Sequence, residues 1–223
     1  MLNPASQTAL KAYVGRPSHG LLLFGLSGVG LRTVAESIAR QLDEDISLIT
    51  IEPDDKGKIS IETIHELTPK LRSVRRHQPL ALIIDDAERM TRPAQDAFLK
   101  SLEEPTEGVY FILTSHQPDN LLATVSSRVA KLEIRPVSKA DSLDLIKRLG
   151  QFDDKAVAQL MFIASGRPAE LTRLTADTDY FDVKAKLVAD AKALVSANAY
   201  DRLKIVSRYE KSRTSAVELL ANL

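Results

Sequence analysis

Residues 20–33 read Gly-Leu-Leu-Leu-Phe-Gly-Leu-Ser-Gly-Val-Gly-Leu-Arg-Thr and carry the strongest structural signal of the chain. The apolar run at their start is typical of a strand buried on both faces. After the glycine-rich turn, apolar residues recur with helical spacing and predict a helix from Thr33 to Leu42. A buried strand, a glycine-rich turn and a helix in succession predict the opening of a parallel α/β sheet.

The glycines have the spacing of a phosphate-binding loop, G-x-x-x-x-G-K-[ST], in which backbone N–H groups and a helix N-terminus surround phosphate. Gly25 and Gly30 have the required separation, and Gly28 lies between them. The lysine position, however, is Leu31, and the hydroxyl position that would hold Mg²⁺ is Arg32. The sequence therefore predicts a degenerate nucleotide site that is weak or non-functional.

Two alternatives stay open for this loop. A shifted frame would let Arg32-Thr33 replace the Lys-Ser/Thr pair and make the chain an ATP-binding ATPase, at the cost of an extra residue in a tight turn. The other alternative is a plain strand-to-helix turn that contains three glycines.

A pair of acids, Asp85 and Asp86, follows the apolar stretch at residues 80–84. In P-loop enzymes the first acid at this point helps to hold Mg²⁺, and the next, usually Glu, polarises the attacking water. Asp86 is one methylene shorter than Glu, so its reach to that water is reduced. The alternative is a pair of acids that merely ends a strand.

The rest of the chain divides at Pro136. Before it, apolar runs predict further strands at residues 46–51, 80–84, 109–113 and 130–134, with helices at 61–74, 93–102 and 121–127. After it, the pattern is helical, with segments predicted at residues 138–149, 153–165, 169–174, 182–197 and 199–223. The chain is thus predicted to be α/β first and all-α afterwards.

Composition narrows the function classes. The formal net charge is zero and there is no cysteine, which argues against a nucleic-acid-coating protein and rules out disulfides and thiolate-metal sites. The four histidines lack metal-ligand spacing, so no metal site is predicted. Without a signal pattern or a bilayer-length apolar run, a cytoplasmic protein without membrane contact is expected.

One basic cluster stands out against the neutral total. Lys70, Arg72, Arg75 and Arg76, with His77, lie at the end of a predicted helix. Such clusters are usually solvated faces helped by the helix dipole. Contact with DNA phosphate is the alternative, and binding would then weaken steeply with salt.

Four segments resemble the bacterial clamp-loader subunits of the AAA+ family, namely IIDDAERM (83–90), AQDAFLKSLEEP (94–105), FILT (111–114) and SSRV (126–129). The LKSLEEP stretch and the later Ser-Arg pair are specific together. The resemblance extends from about residue 18 to residue 174. It is greatest to the delta-prime branch of DNA polymerase III clamp loaders, whose phosphate loop is typically damaged as here.

The resemblance implies an AAA+ P-loop domain at residues 1–136, a small all-helical lid at 137–177 and the start of a helical collar at 178–223, possibly truncated. It also implies a subunit without ATPase activity of its own and without a required cofactor. Such a subunit works in a hetero-pentamer with clamp-loader ATPase subunits, which loads the sliding clamp on primed DNA during replication.

Ser127 and Arg128 match the family's Ser-Arg-Cys motif, whose arginine reaches a neighbour's ATP as an arginine finger. The alternatives are a structural arginine paired with an acid at a helix end and, for the whole chain, an AAA+ adaptor outside replication. Three departures from the family accompany the match. Val129 replaces the motif's cysteine, the absence of cysteine excludes the zinc module of many relatives, and Ala169 takes the place of a sensor arginine, with Arg167 displaced.

Overall fold

The computed structural model describes residues 1–72, 79–210 and 213–220. Its centre is a five-stranded parallel sheet in the order β2-β3-β4-β1-β5, which confirms the predicted α/β fold. The strands are β1 (Gly20–Phe24), β2 (Ser47–Ile51), β3 (Leu80–Ile84), β4 (Val109–Ser115) and β5 (Ala130–Glu133).

The sheet is covered on both faces because alternate side chains of a strand point to opposite sides. Leu22 packs in one apolar cluster with Leu82 and Phe111, whereas Leu21 packs in a second cluster with Ile112. Helices cover each face, so every residue of β3 is buried. This explains why β1, β3 and β4 read as nearly continuous apolar runs and not as alternating patterns.

Five α-helices are described in this first part of the chain, namely α1 (Pro4–Gly15), α2 (Leu31–Leu42), α3 (Ile61–Arg72), α4 (Arg92–Glu103) and α5 (Ala123–Ser126), with a 3₁₀ turn at Ala87–Arg89. Helix α2 begins two residues earlier than predicted, directly at the end of the glycine loop. The predicted helix at 121–127 is shorter, and a separate 3₁₀ turn, Pro118–Asn120, precedes it.

Helix α1 was not predicted from the sequence. Its apolar residues form no clear helical stripe, and only one of them, Leu10, is buried, so the segment carries no periodic signal. Its start is specified by the Asn3 side chain, which accepts a hydrogen bond from the Ala5 N–H (3.0 Å). Tertiary contacts then hold it: Ser6 Oγ donates to the Glu133 carbonyl (3.0 Å) and accepts from the Arg135 N–H (3.0 Å).

The chain divides into two compact units, Met1–Ser138 and Lys139–Leu223. The second contains α6 (Lys139–Leu149), α7 (Asp154–Ala164), α8 (Pro168–Ala176), α9 (Thr178–Ser196), α10 (Ala199–Ser207) and α11 (Arg213–Leu220). Helix α9 begins four residues before its predicted start because Asp177 caps it by accepting from the Tyr180 N–H (2.9 Å). The single helix predicted at 199–223 is wrong, since α10 ends at Ser207.

The predicted boundary between a lid and a collar near residue 177 stays a prediction, because α6 to α11 form one compact unit. Of the basic cluster, Arg75, Arg76 and His77 lie outside the described residues, so its role also stays a prediction. Within the described ranges, no helix has both the length and the hydropathy needed to cross a bilayer.

Candidate phosphate-loop site and Arg128

The site lies at the carboxyl edge of the sheet, where the parallel strands all end. Strand β4 lies between β3 and β1, so the residues that follow these three strands become neighbours. The glycine loop follows β1, Asp85 and Asp86 follow β3, and His116 follows β4. The fold therefore brings the glycine loop and the acid pair together, although 60 residues separate Gly25 from Asp85.

The glycine loop leads directly into α2. Gly28 (φ 88°) and Gly30 (φ 92°) both occupy the left-handed region, where a side chain is disfavoured, and Gly30 is the N-cap of α2. Leu31, at the lysine position, is only 3% exposed and belongs to the core cluster beneath α2. The side chain at this position thus contributes to packing and supplies no charge for a phosphate.

Gly25 is required by a close backbone approach. A Cβ at this position would lie 2.4 Å from the Ile134 carbonyl oxygen, whereas a Cβ at Gly15 would meet nothing within 4 Å. We expect Gly25→Ala to lower the free energy of unfolding by about 1–3 kcal/mol, since the backbone of one strand end must move. Gly15→Ala is the control and should change it by less than about 1 kcal/mol.

Urea denaturation of both variants measures this difference. Equal stability of Gly25→Ala and the unsubstituted protein would show that the strand ends can separate without cost.

Arg32, at the Mg²⁺-hydroxyl position, is held by carboxylates. Its guanidinium pairs with Glu36 (3.3 Å) one turn further along α2 and with Glu52, the residue after β2. Burial lowers the pKa of Arg32, but Glu36, Glu52 and the nearby charge of Asp85 outweigh it and raise the pKa. A side-chain cation thus lies beside the acids that would otherwise attract a metal cation, and the residues do not fit Mg²⁺-bound phosphate. Thr33 lies exposed on the first turn of α2.

Thr114 organises the acid pair. This fully buried residue donates from Oγ1 to Asp85 Oδ1 (2.5 Å), and the same oxygen accepts from the Asp86 N–H (3.1 Å). Asp86 has a positive φ of 49°, which short polar residues tolerate best. Its carboxylate faces Arg89 (3.4 Å) and His116 (3.8 Å). Both acids therefore have defined positions at the edge.

His116 links the acid pair to the glycine loop. Its ring Nδ1 lies 2.8 Å from the Gly25 carbonyl oxygen, and because that oxygen can only accept, Nδ1 carries the proton. The other ring nitrogen faces Asp86, and the His116 N–H donates to Glu88 Oε1 (3.0 Å). These contacts tie the start of the glycine loop to the segment after β3.

The surroundings of Asp86 disfavour its ionised form. Burial contributes most, and the charges of Glu88 and Asp85 add to it, so the pKa of Asp86 rises above 3.8 although His116 and Arg89 act in the opposite direction. Because the folded-state pKa is the higher one, the stability from protonated Asp86 is complete below pH 3.8 and is lost as the pH rises through the raised value.

We therefore expect Asp86→Asn to raise the melting temperature at pH 7 and to have a smaller effect near pH 4. Asn keeps the shape and tolerates the positive φ, so Asp86→Ala is the control that should not gain stability. Thermal melts of both variants at the two pH values test this. A lower melting temperature for Asp86→Asn at pH 7 would show that Arg89 and His116 stabilise the carboxylate.

Arg128 lies at the other edge of the sheet. The backbone of Arg128 lies beside Gly20, the first residue of β1, since a Cβ on Gly20 would be 3.4 Å from the Arg128 carbonyl oxygen. Gly25 follows the last residue of β1. The length of β1, about 16 Å, therefore separates the backbone of Arg128 from the glycine loop. The guanidinium contacts Glu103 at the end of α4 (2.7 Å) and the Thr124 carbonyl of α5 (2.9 Å).

We predicted one nucleotide site from the sequence, formed by Gly25, Gly28, Gly30, Arg32, Thr33, Asp85 and Asp86, and in the structure these residues lie at one edge of the sheet. That prediction did not include Glu52, Thr114 or His116. The signal that could have found them is position, since each lies at the carboxyl end of a predicted parallel strand. Arg167, the N-cap of α8, turns back onto the end of the preceding helix α7, donating to the carbonyls of Ala164 (2.8 Å) and Ile163 (2.6 Å).

The sequence matches a family described as "DNA polymerase III, delta subunit" over residues 37–138. The chain is 28% identical over 196 residues to DNA polymerase III subunit delta' of Pseudomonas aeruginosa, an alignment that covers 75% of this chain and 60% of that protein. It is 33% identical over 149 residues to DNA polymerase III subunit delta' of Yersinia pestis, which covers 56% of this chain and 44% of that protein.

The fold also has solved counterparts. A DNA polymerase III gamma subunit-related protein from Thermotoga maritima superposes with a TM-score of 0.59 at 21% identity, covering 97% of this chain and 70% of that one. At this identity the likeness shows the fold alone. The chain spans about half of the length of the curated relatives that it matches. The family match over residues 37–138 and the two delta' relatives make this chain similar to the delta' subunits of DNA polymerase III.

Proposed function

We propose that this chain is a non-hydrolysing clamp-loader subunit that works in DNA replication. In this role it assembles with clamp-loader ATPase subunits in a hetero-pentamer and helps to load the sliding clamp on primed DNA. Its chemical contribution is Arg128, which it presents to ATP bound by a neighbouring subunit. The observation that carries the proposal is the separation of Arg128 from the chain's own glycine loop by the length of β1.

An arginine in this position suits phosphate. The guanidinium is always charged and presents its donors in a planar fork that matches phosphate oxygens. Arg128 is 37% exposed, so it is accessible to another molecule. Since its own glycine loop lies at the opposite edge, a phosphate that it contacts has to belong to a neighbour.

The absence of hydrolysis by the chain itself is supported at the glycine loop. Leu31 is buried where a lysine would neutralise the terminal phosphates, and Arg32 is paired with Glu36 and Glu52 where a hydroxyl would hold Mg²⁺. The same pairing weighs against a shifted loop in which Arg32 acts on phosphate. The proposal therefore requires neither a bound nucleotide nor a metal in this chain.

The test combines the purified chain with the clamp-loader ATPase subunits of the same organism. We expect a stable hetero-oligomer by size-exclusion chromatography and a rise in ATP turnover that depends on primed DNA and the sliding clamp. The chain alone should neither bind nor hydrolyse micromolar ATP with Mg²⁺.

Each other outcome rejects a different part of the proposal. ATP turnover by the chain alone would favour an ATPase that uses Arg32-Thr33. A failure to associate with the ATPase subunits would favour an AAA+ adaptor outside replication.

A further inference from the structure

We propose that Glu103 is a positioning residue for Arg128, which it holds against the subunit's own surface until a neighbour's phosphate displaces the carboxylate. This inference rests on the proposed function. It assigns to Glu103 a reversible holding role that is separate from the finger itself.

Three acceptors engage the guanidinium of Arg128. Nη2 lies 2.7 Å from Glu103 Oε1, and Nη1 donates to the Thr124 carbonyl (2.9 Å) and reaches Ser127 Oγ (3.5 Å). Ser127 Oγ donates in turn to the same carbonyl (3.1 Å), so the Ser-Arg pair folds back over the end of α5. The guanidinium is thus held on α4 and α5.

The position of Glu103 is not explained by the stability of its helix. Glu103 is the last residue of α4, where the helix dipole is negative and disfavours a carboxylate. Glu104 at the C-cap adds a second negative charge. The guanidinium of Arg128 supplies the compensating positive charge. The role of Glu103 is therefore its contact with Arg128 and not the stability of α4.

The ion pair between Arg128 and Glu103 is weak enough for another anion to displace the carboxylate. The side chains of Arg128 and Glu103 are 37% and 48% exposed, and ion pairs at such exposure contribute little net stability. A carboxylate and a phosphate bind the same N–H donors of the guanidinium fork, and their negative charges repel, so the two anions compete for Arg128. A phosphate with several negative charges therefore competes with Glu103 and wins when the neighbour is bound to ATP.

The test is Glu103→Gln in the reconstituted complex. Because the glutamine no longer competes as a charge, we expect the half-saturating ATP concentration of the neighbouring subunit to fall about two- to fivefold with kcat unchanged. The difference in half-saturating ATP concentration between the variant and the unsubstituted complex should shrink at higher salt, because salt screens the ion pair of Arg128 with Glu103. Damage to the fold would not produce such a gain in apparent affinity.

Two controls separate this effect from others. Glu104→Gln removes the adjacent charge and should leave the half-saturating ATP concentration unchanged. Glu103→Asp keeps the carboxylate, so the half-saturating ATP concentration should stay close to that of the unsubstituted complex. With Arg128→Ala already present, Glu103→Gln should have no further effect.

The outcomes distinguish the inference from the proposed function. If Glu103→Gln leaves the half-saturating concentration unchanged or raises it while Arg128→Ala still lowers turnover, the holding role is wrong and the finger stands. If Arg128→Ala changes nothing, the finger fails and this inference fails with it.

Discussion

Arg128→Ala should abolish the stimulation that this chain gives to its neighbour, because under the proposed function the variant lacks the guanidinium that stabilises the charge of the transition state. Arginine fingers contribute about 10³ to 10⁵ in kcat, so turnover at the neighbouring site should fall about a thousandfold or more. Single-turnover hydrolysis in the assembled complex measures this directly. Arg128→Lys keeps the charge without the planar fork, so it should recover only a small part of the lost turnover.

Arg135→Ala is the matched control for this experiment. Arg135 is also exposed and paired with a carboxylate, Glu133, at 2.8 Å. Its loss removes one surface ion pair from the same unit and should leave turnover unchanged. An Arg128→Ala complex that assembles and turns over ATP like the unsubstituted complex would reject the finger and leave Arg128 a structural residue of α4 and α5.

The double variant Leu31→Lys with Arg32→Ser should bind ATP far more tightly than the unsubstituted chain. The substitutions restore the lysine and the hydroxyl at the two positions that depart from the phosphate-loop pattern. A charged hydrogen bond contributes about 1.5–3 kcal/mol, which corresponds to roughly 10- to 100-fold in affinity. Isothermal titration calorimetry with ATP and Mg²⁺ tests the gain.

The control for this variant is Leu31→Met with Arg32→Ser, which makes the same change at Arg32 but adds no charge. It should show no gain in ATP affinity. Both variants change Leu31, a buried core residue, and a lysine there costs more stability than a methionine, so a thermal melt of each must show that it is folded at the temperature of the titration. Equal ATP affinity of the two would mean that the loop around Gly28 and Gly30 does not accept a nucleotide even with the lysine present.

Much of the fold was predictable because its signals are local. The apolar run that begins at Gly20 and the one that ends before Asp85 indicate strands buried on both faces, and the structure confirms them as β1 and β3. Helix α1 was not predictable in this way. Its position depends on hydrogen bonds between Ser6 and the end of β5, about 130 residues away, and such contacts leave no periodic pattern in a short segment.

The candidate site likewise combines features that are visible in the sequence with contacts that only the fold creates. The spacing of Gly25 and Gly30 and the replacement of the lysine by Leu31 are properties of the sequence alone. The sequence does not reveal that Arg32 is paired with Glu52, because that ion pair forms only where α2 lies beside the end of β2. The role of Thr114 is hidden for the same reason, since its hydroxyl meets Asp85 only across neighbouring strands.

Residue types and short spacings are enough to indicate a parallel α/β domain, a glycine loop that lacks the lysine of the phosphate-loop pattern and a Ser-Arg pair that resembles a finger motif. Local geometry converts such features into structure. The positions of Arg128 and the glycine loop at opposite edges of the sheet, and the contact of Glu103 with the guanidinium, become visible only in the folded chain. Both facts depend on the order in which strands pair and helices pack, and the chain acquires that order only when distant segments share one core.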